Sequence, residues 1–231
     1  LGDVYKRQTN INLIQKVAEE YEVDPFIVVT IAGVESNYGI HHSQYSVFNS
    51  LYSQIHDMPK RSKWATRELA EFLKYCYSDN LDPQEIGGSY AGAFGFGQFI
   101  PSSFTRYSVD FNGNGVREPY DWADVLGSIA NYLRMNGYKA NSKNYTKSGD
   151  IYKSVFAYNH ADNYVMAVLE LTEKIRERAT GIKSQVIDYG AEHKNFKDAF
   201  AKARSDLGPN ATFIWNKRSY STRISTYDTK K

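Results

Sequence analysis

The chain has 231 residues, enough for one substantial domain with an appendage or for two small domains. Its 42% apolar and 23% charged residues exclude a disordered segment and a membrane-embedded bundle. The net charge of +2 neither favours nor excludes nucleic acid, yet it is unevenly placed: residues from Lys183 onward carry +5 and residues 1–182 carry −3. Aromatic residues reach 15%, led by 19 tyrosines. Such an excess suits core filling, or a groove that stacks flat apolar faces and hydrogen-bonds hydroxyls.

In chain order, residues 1–9 show no usable pattern and are expected to be unstructured. Thr9 or Asn10 opens a helix whose Ile14, Val17, Ala18 and Tyr21 recur at three- and four-residue steps. Asp24 and Pro25 then read as the cap and first turn of a second helix, and Gly39 as its stop. Between them Phe26, Ile27, Val28, Val29, Ile31, Ala32 and Val34 are apolar nearly all round, so this helix is buried. Glu35 sits in its last turn and shares a face with Ile31, Ala32 and Tyr38. Apolar walls and the negative end of the helix dipole both favour its protonated form. A carboxylic acid held protonated near neutral pH can protonate the leaving oxygen of a glycosidic bond, which makes Glu35 the candidate catalyst.

Val47 to Ile55 and Trp64 to Cys76 continue as amphipathic helices, joined at Met58 and Pro59, and Asp82 and Pro83 start a short one. The single cysteine, Cys76, falls at helical spacing after Leu69, Phe72 and Leu73 and reads as a core thiol. Gly87 to Val109 is rich in glycine and aromatics, lacks any acidic residue, and is too irregular for a helix or strand. It reads as a wall whose backbone approaches a ligand closely, or as a loop packed on a neighbouring helix.

Asp121 to Tyr138, Asp150 to Tyr158 and Asp162 to Ile175 return to helical periodicity. After a connection over Ile182 to Glu192, one more helix runs from Phe196 to Leu207 and is closed by Gly208 and Pro209. Thr212 to Trp215 and Ser219 to Thr222 then form a small hairpin. The fold class is mainly α. Residues 10–181 are expected to form the principal domain, and 182–231 a linker with a small basic helix-and-hairpin tail.

Asp110 to Asp121 fits the calcium-loop template, with oxygen side chains at Asp110, Asn112 and Asn114, a turn glycine at Gly115 and an acid at the twelfth place. The same residues also build an Asx turn without metal. The five histidines lack zinc spacing. Nucleophile elbows, phosphate loops and dinucleotide fingerprints are absent, which disfavours esterases, NTPases and dehydrogenases. No apolar run approaches the ~18–20 residues of a membrane-spanning helix, and no secretory signal is visible from Leu1 onward.

Taken together, GVESNYG (33–39), GSYAGAFGFGQFIPSSFTRYSVDFNGNG (88–115), SIANYLRMNGY (128–138) and AYNHADNYV (157–165) resemble the lytic murein transglycosylases of family B, in order and at suitable spacing over roughly residues 10–180. The resemblance implies a lysozyme-like α-helical fold. It also implies cleavage of the β-1,4 bond between N-acetylmuramic acid and N-acetylglucosamine with formation of a 1,6-anhydromuramoyl end.

It makes Glu35 the sole acid and base, matches Ser89, Gln98, Phe99, Tyr132, Asn159 and Tyr164 to positions that hold the sugar, and matches Lys60, Arg61 and Trp64 to a basic and aromatic margin. Ordinary glycosidases pair two carboxylates whereas substrate-assisted ones need fewer, and the wall offers no second one. For the metal loop the resemblance replaces Asp121 by Asp124 beside Asp110, Asn112, Asn114 and the Val116 carbonyl. A structural Ca2+ of low affinity is expected there, and no cofactor is required.

The implied partner is the peptidoglycan glycan strand, with no nucleic acid and no transmembrane segment, acting as a monomer in the cell envelope or a phage virion. A muramidase that hydrolyses the same bond, or a catalytically idle wall-binding or virion protein, are the alternatives. The tail lies outside this likeness and resembles short modules at the ends of some phage proteins.

Overall fold

A 20-residue helix, α1 (Gly2–Tyr21), opens the computed structural model, which describes residues 2–180, 189–190, 192–207, 212–216 and 218–222. There follow α2 (Pro25–Ser36), β1 (Tyr45–Ser46), α3 (Val47–Asp57), α4 (Ser62–Ser78), β2 (Gly87–Gly88), α5 (Pro101–Tyr107) and α6 (Trp122–Met135). These make the first of two units, Leu1–Met135. Within it α1, α2 and α6 pack against one another, α3 packs on α4, and α4 on α5. Val17, Ile27, Ile31, Ile129 and Leu133 are buried in the first group, and Leu51, Phe72, Phe94 and Phe104 in the second. The aromatic surplus is therefore partly core, as in the Phe72–Phe94 and Phe94–Phe104 pairs at 5.7 and 5.1 Å between ring centroids.

The short β1–β2 ladder sets Tyr45 opposite Gly88 and Ser46 opposite Gly87. Only glycine fits at 88, where a Cβ would lie 2.2 Å from the Ala93 carbonyl oxygen and 2.6 Å from a Val47 methyl.

The second unit, Asn136–Lys231, holds α7 (Asp150–Tyr158) packed on α8 (Asp162–Thr180), then α9 (Phe196–Leu207) and the hairpin β3 (Thr212–Trp215)–β4 (Arg218–Ser221). Tyr152 donates its hydroxyl to Asp162 at 2.7 Å, joining α7 to α8. Tyr189, Ala199, Ala203 and Phe213 form a small core for the tail, and the Trp215 indole N–H donates to the His193 carbonyl at 2.8 Å. The hairpin pairs Trp215 with Arg218, so Arg218 belongs to the strand, and Asn216 supplies the left-handed turn residue at φ 49°.

The mainly α reading holds, with four corrections. The segment expected to be unstructured is helical from Gly2, because residues 3–10 contain neither glycine nor proline and extending an existing helix needs no new nucleus. Asp82 and Pro83 start a turn instead of a helix: the Asp82 carboxylate accepts the Gln84 N–H at 2.8 Å and its carbonyl the Glu85 N–H at 3.1 Å. The irregular stretch to Val109 contains α5, whose first turn is capped from α4: buried Glu68 accepts both the backbone N–H and the hydroxyl of Ser102 at 2.9 Å. The boundary between units falls at Met135/Asn136, inside the 10–181 segment read as one domain, because α6 ends there and 136–149 carries no helix before α7. The connection at 181–188 and the closing Gly208 and Pro209 lie outside the described residues.

Candidate active site

Helix α2 presents Glu35 as the sequence order requires. Asp24 accepts the Phe26 N–H at 2.9 Å, Pro25 occupies the first turn, and Ile27, Val28, Thr30, Ile31 and Ala32 are buried. Glu35 lies half-buried in the last turn, one residue before the helix ends.

The helix stops at Ser36 and not at Gly39. Asn37, Tyr38 and Gly39 take three successive left-handed conformations, at φ 48°, 55° and 81°. Glycine and asparagine take this conformation readily, whereas for Tyr38 it costs about 1–2 kcal/mol. The turn is held by Asn37 N–H to the Gly33 carbonyl (2.9 Å), Gly39 N–H to the Ser36 hydroxyl (2.9 Å) and His41 N–H to the Ser36 carbonyl (2.8 Å). This reversal takes Tyr38 off the helical face it was expected to share with Glu35 and lays its ring over Gly33, where a Cβ would come within 2.8 Å of it. Burial pushes the Tyr38 hydroxyl pKa upward. Gly39 in turn rests against the Phe96 ring. The residues that flank Glu35 are thus fixed by a strained turn, an arrangement common at functional sites.

The glycine-rich segment packs against that turn. Phe94 bridges both Gly88 and Phe99. Gln98, at φ 48°, donates its side-chain amide to the Gly95 carbonyl at 2.8 Å and reaches the His42 carbonyl at 3.5 Å, tying the segment to the residues after α2. His42 meets Phe96 edge-on at 5.0 Å, and Phe96 stacks on Trp122 at 4.7 Å. The Ser89 hydroxyl accepts the Ala93 N–H at 3.1 Å and keeps its own proton to donate. Buried Phe99 lies 5.9 Å from the ring of Tyr132, itself 4.5 Å from Tyr107. Desolvation raises the Tyr132 hydroxyl pKa to about 12.

Lys60, Arg61 and Trp64 cluster where α4 begins, with the Arg61 guanidinium 4.3 Å over the Trp64 ring and Lys60 exposed. Asn159 and Tyr164 belong to the second unit. Asn159 caps α7 through its N–H to the Val155 carbonyl at 3.4 Å, and Tyr164 is half-buried in the first turn of α8.

The 110–124 loop is largely self-sufficient. Asp110 accepts the N–H groups of Gly113, Asn114 and Gly115 at 2.8, 3.1 and 2.7 Å. Asn112 accepts the Asn114 N–H and Asn114 the Val116 N–H, at 3.0 and 2.8 Å, while the Asn114 amide donates to Glu118 at 2.8 Å. Asp124 is 1% exposed and accepts Phe111, Asn112 and Glu118 N–H at 2.8, 3.3 and 2.8 Å. Asp121 caps α6, accepting the Ala123 N–H at 2.9 Å. Each carboxylate oxygen that accepts one N–H retains a lone pair, so Asp110, Asn112, Asn114, the Val116 carbonyl and Asp124 still offer oxygens to a hard cation. Only two of these five residues carry charge, and no cluster of three His, Cys, Asp or Glu occurs among the described residues. Such a donor set fits calcium weakly.

Composition points to an aromatic groove, and the glycine- and aromatic-rich run 87–109 to a wall of it or to a loop packed on a helix. The Asn37–Gly39 reversal and the His42–Phe96–Trp122 stack were not singled out from sequence. Their one local signal is an asparagine two residues before a glycine at a helix end.

A helical body in which a half-buried glutamate closes one helix, beside a glycine- and aromatic-rich segment, has the lysozyme-like lytic transglycosylase fold. Lytic transglycosylase SLT35 of Escherichia coli, solved in complex with calcium, superposes with a TM-score of 0.71 at 24% identity, over 75% of this chain and 72% of that one. Soluble lytic transglycosylase SltB1 of Pseudomonas aeruginosa gives 0.70 at 26% identity, over 76% and 77%. The sequence profile of the transglycosylase SLT domain matches residues 4–148, and the chain belongs to that family. Membrane-bound lytic murein transglycosylase B of Escherichia coli (strain K12) is 36% identical over 125 residues, which are 54% of this chain. The chain spans about a third, 35%, of the length of that curated relative.

Proposed function

We propose that this chain is a peptidoglycan lytic transglycosylase that cleaves the MurNAc-β-1,4-GlcNAc bond and leaves a 1,6-anhydromuramoyl end. The observation that carries the reading is a single half-buried glutamate at the end of a buried helix, beside a segment, 87–109, that contains no acidic residue.

Glu35, protonated, gives its proton to the glycosidic oxygen as the C1–O bond breaks, releasing the 4-hydroxyl of N-acetylglucosamine. The acetamido group of the muramoyl residue stabilises the positive charge at C1. Glu35, now a carboxylate, takes the proton of the 6-hydroxyl as O6 bonds to C1, which restores the acid without consuming water. Ser89, Gln98, Phe99 and Tyr132 hold the sugar or its N-acetyl group, Lys60, Arg61 and Trp64 line a basic margin, and Asn159 and Tyr164 of the second unit are assigned to the sugar by the 157–165 motif alone.

Calcium, when bound, would be held by Asp110, Asn112, Asn114, the Val116 carbonyl and Asp124, and would stiffen the loop. The site of action is the cell envelope, or the wall met by a virion.

Glu35→Gln tests the assignment. Turnover of purified sacculi should fall by about 10³-fold or more, because proton transfer is lost while a near-isosteric side chain remains. Binding to sacculi should survive. Unchanged turnover would refute the role of Glu35.

A further inference from the structure

His42 joins three segments of the first unit and takes no part in the proton transfer described above. Its Nδ1 lies 2.8 Å from the carbonyl oxygen of Gly39. A carbonyl only accepts, so Nδ1 carries the proton and donates it. This bond closes the far end of the left-handed run Asn37, Tyr38 and Gly39, which begins two residues after Glu35. The near end is held by Ser36, whose hydroxyl accepts the Gly39 N–H and whose carbonyl accepts the His41 N–H.

The imidazole is held from two other sides. Its ring meets Phe96 of the glycine-rich segment edge-on at 5.0 Å, and Tyr120, ahead of α6, at 5.5 Å. Those two rings are 5.6 Å from each other, so the three form a closed triangle. Phe96 is anchored by its N–H to the Pro119 carbonyl at 2.9 Å, and Tyr120 by its hydroxyl to the Gly87 carbonyl at 3.3 Å. A half-buried ring wedged in this way has little rotamer freedom left to lose, so Nδ1 stays aimed at Gly39. The backbone of the same residue faces Gln98, whose side-chain amide reaches the His42 carbonyl at 3.5 Å. The turn after Glu35 and the segment that carries Gln98 and Phe99 therefore meet at His42.

We propose that His42 is a positioning residue for Glu35: its Nδ1–H holds the reversal that follows α2, and the Phe96–Tyr120 clamp holds His42. Tyr38 leaves a left-handed conformation readily unless its surroundings fix it. With the Gly39 carbonyl unpartnered the reversal relaxes, and the last turn of α2 moves with it. A reacting group displaced by about 1 Å can cost about 100-fold in rate. His42 moves no proton. Its effect on turnover rests on the transglycosylase reading, whereas its hold on the turn is measured without catalysis.

His42→Asn and His42→Leu provide the test in the full chain. Asparagine puts a side-chain N–H where Nδ1 stands and cannot act as acid or base, and leucine keeps bulk without a donor. On soluble glycan strands the kcat of His42→Leu should fall about tenfold or more, with KM within about twofold, and His42→Asn should stay within about threefold of the parent. Sugar binding is spared because Gln98 keeps its 2.8 Å bond to the Gly95 carbonyl. Amide hydrogen exchange at Gly39 and His41, followed by NMR, should quicken in His42→Leu and stay parental in His42→Asn. Parental kcat and exchange in His42→Leu would overturn the proposal. So would His42→Asn as slow as His42→Leu with exchange unchanged, since the imidazole would then be needed for proton transfer, and so would kcat losses in both variants that merely follow a lowered Tm. A parent that releases no product would refute the transglycosylase reading, and the exchange rates would still decide whether His42 holds the turn.

Discussion

Glu35 and Asp124 are both acidic residues in tightly organised surroundings, and burial separates them: Glu35 is half-buried and Asp124 is 1% exposed. Asp124 is buried and meets three backbone N–H groups of the loop that precedes it, so its work is structural. Asp124→Ala should destabilise the protein by about 2–3 kcal/mol in urea unfolding, since it strands several donors of which some regain water. Asp124→Asn should cost less, because one acceptor oxygen remains. Equal stability of all three proteins would contradict this account. Glu35 instead sits half-buried at a helix end that is followed by three left-handed residues. The Asp24–Pro25 start and the apolar run that buries α2 were legible from residue types alone. The end of the helix was not, because the choice of Ser36 over Gly39 depends on Tyr38 finding room over Gly33 and on Phe96 abutting Gly39, contacts that the linear pattern does not contain.

At the scale of elements, long periodic helices such as α3, α4, α6, α7 and α8 could be read from spacing, whereas short elements stabilised from a distance could not. The seven-residue α5 takes its cap from Glu68, 34 residues earlier in the chain, and a glycine-rich neighbourhood conceals it. The 110–124 loop shows the reverse. Its template was visible, but its hydrogen bonds show that Asx turns alone can hold its shape. Chelation of calcium should therefore leave the helical circular dichroism and a cooperative melt intact. Addition of 10 mM calcium should raise Tm by less than about 6 °C, the shift expected for a millimolar site. A rise of about 15 °C or more would mean a tight site that the two carboxylates do not predict.

Across the whole molecule, two compact units carry an aromatic surplus that serves partly as core and partly as exposed surface. The buried share makes the fold sensitive to alkali. Burial raises the Cys76 thiol pKa from 9.0 to about 11, and that of the Tyr132 hydroxyl from 10.0 to about 12, while Tyr75 moves in the same direction. In each case the folded state holds its proton longer than the unfolded chain. The stability from this source is whole below pH 9 and is lost as pH rises through about 11 and 12. Urea midpoints should be flat from pH 7 to 8.5 and decline from pH 9.5 to 11.5; a midpoint rising over that range would contradict the assigned burial. The family was legible because four motifs stand in register. The division at Met135 was not, since helical periodicity does not reveal which helices share a core.

The central claim, that one glutamate both gives and takes the proton so that the sugar closes on itself, is read most directly from the reaction products. Sacculi digested by the full chain in H₂¹⁸O and analysed by mass spectrometry should yield muropeptides with 1,6-anhydromuramoyl ends and no incorporated ¹⁸O. Reducing ends carrying ¹⁸O, without anhydro products, would contradict the account and identify a hydrolase.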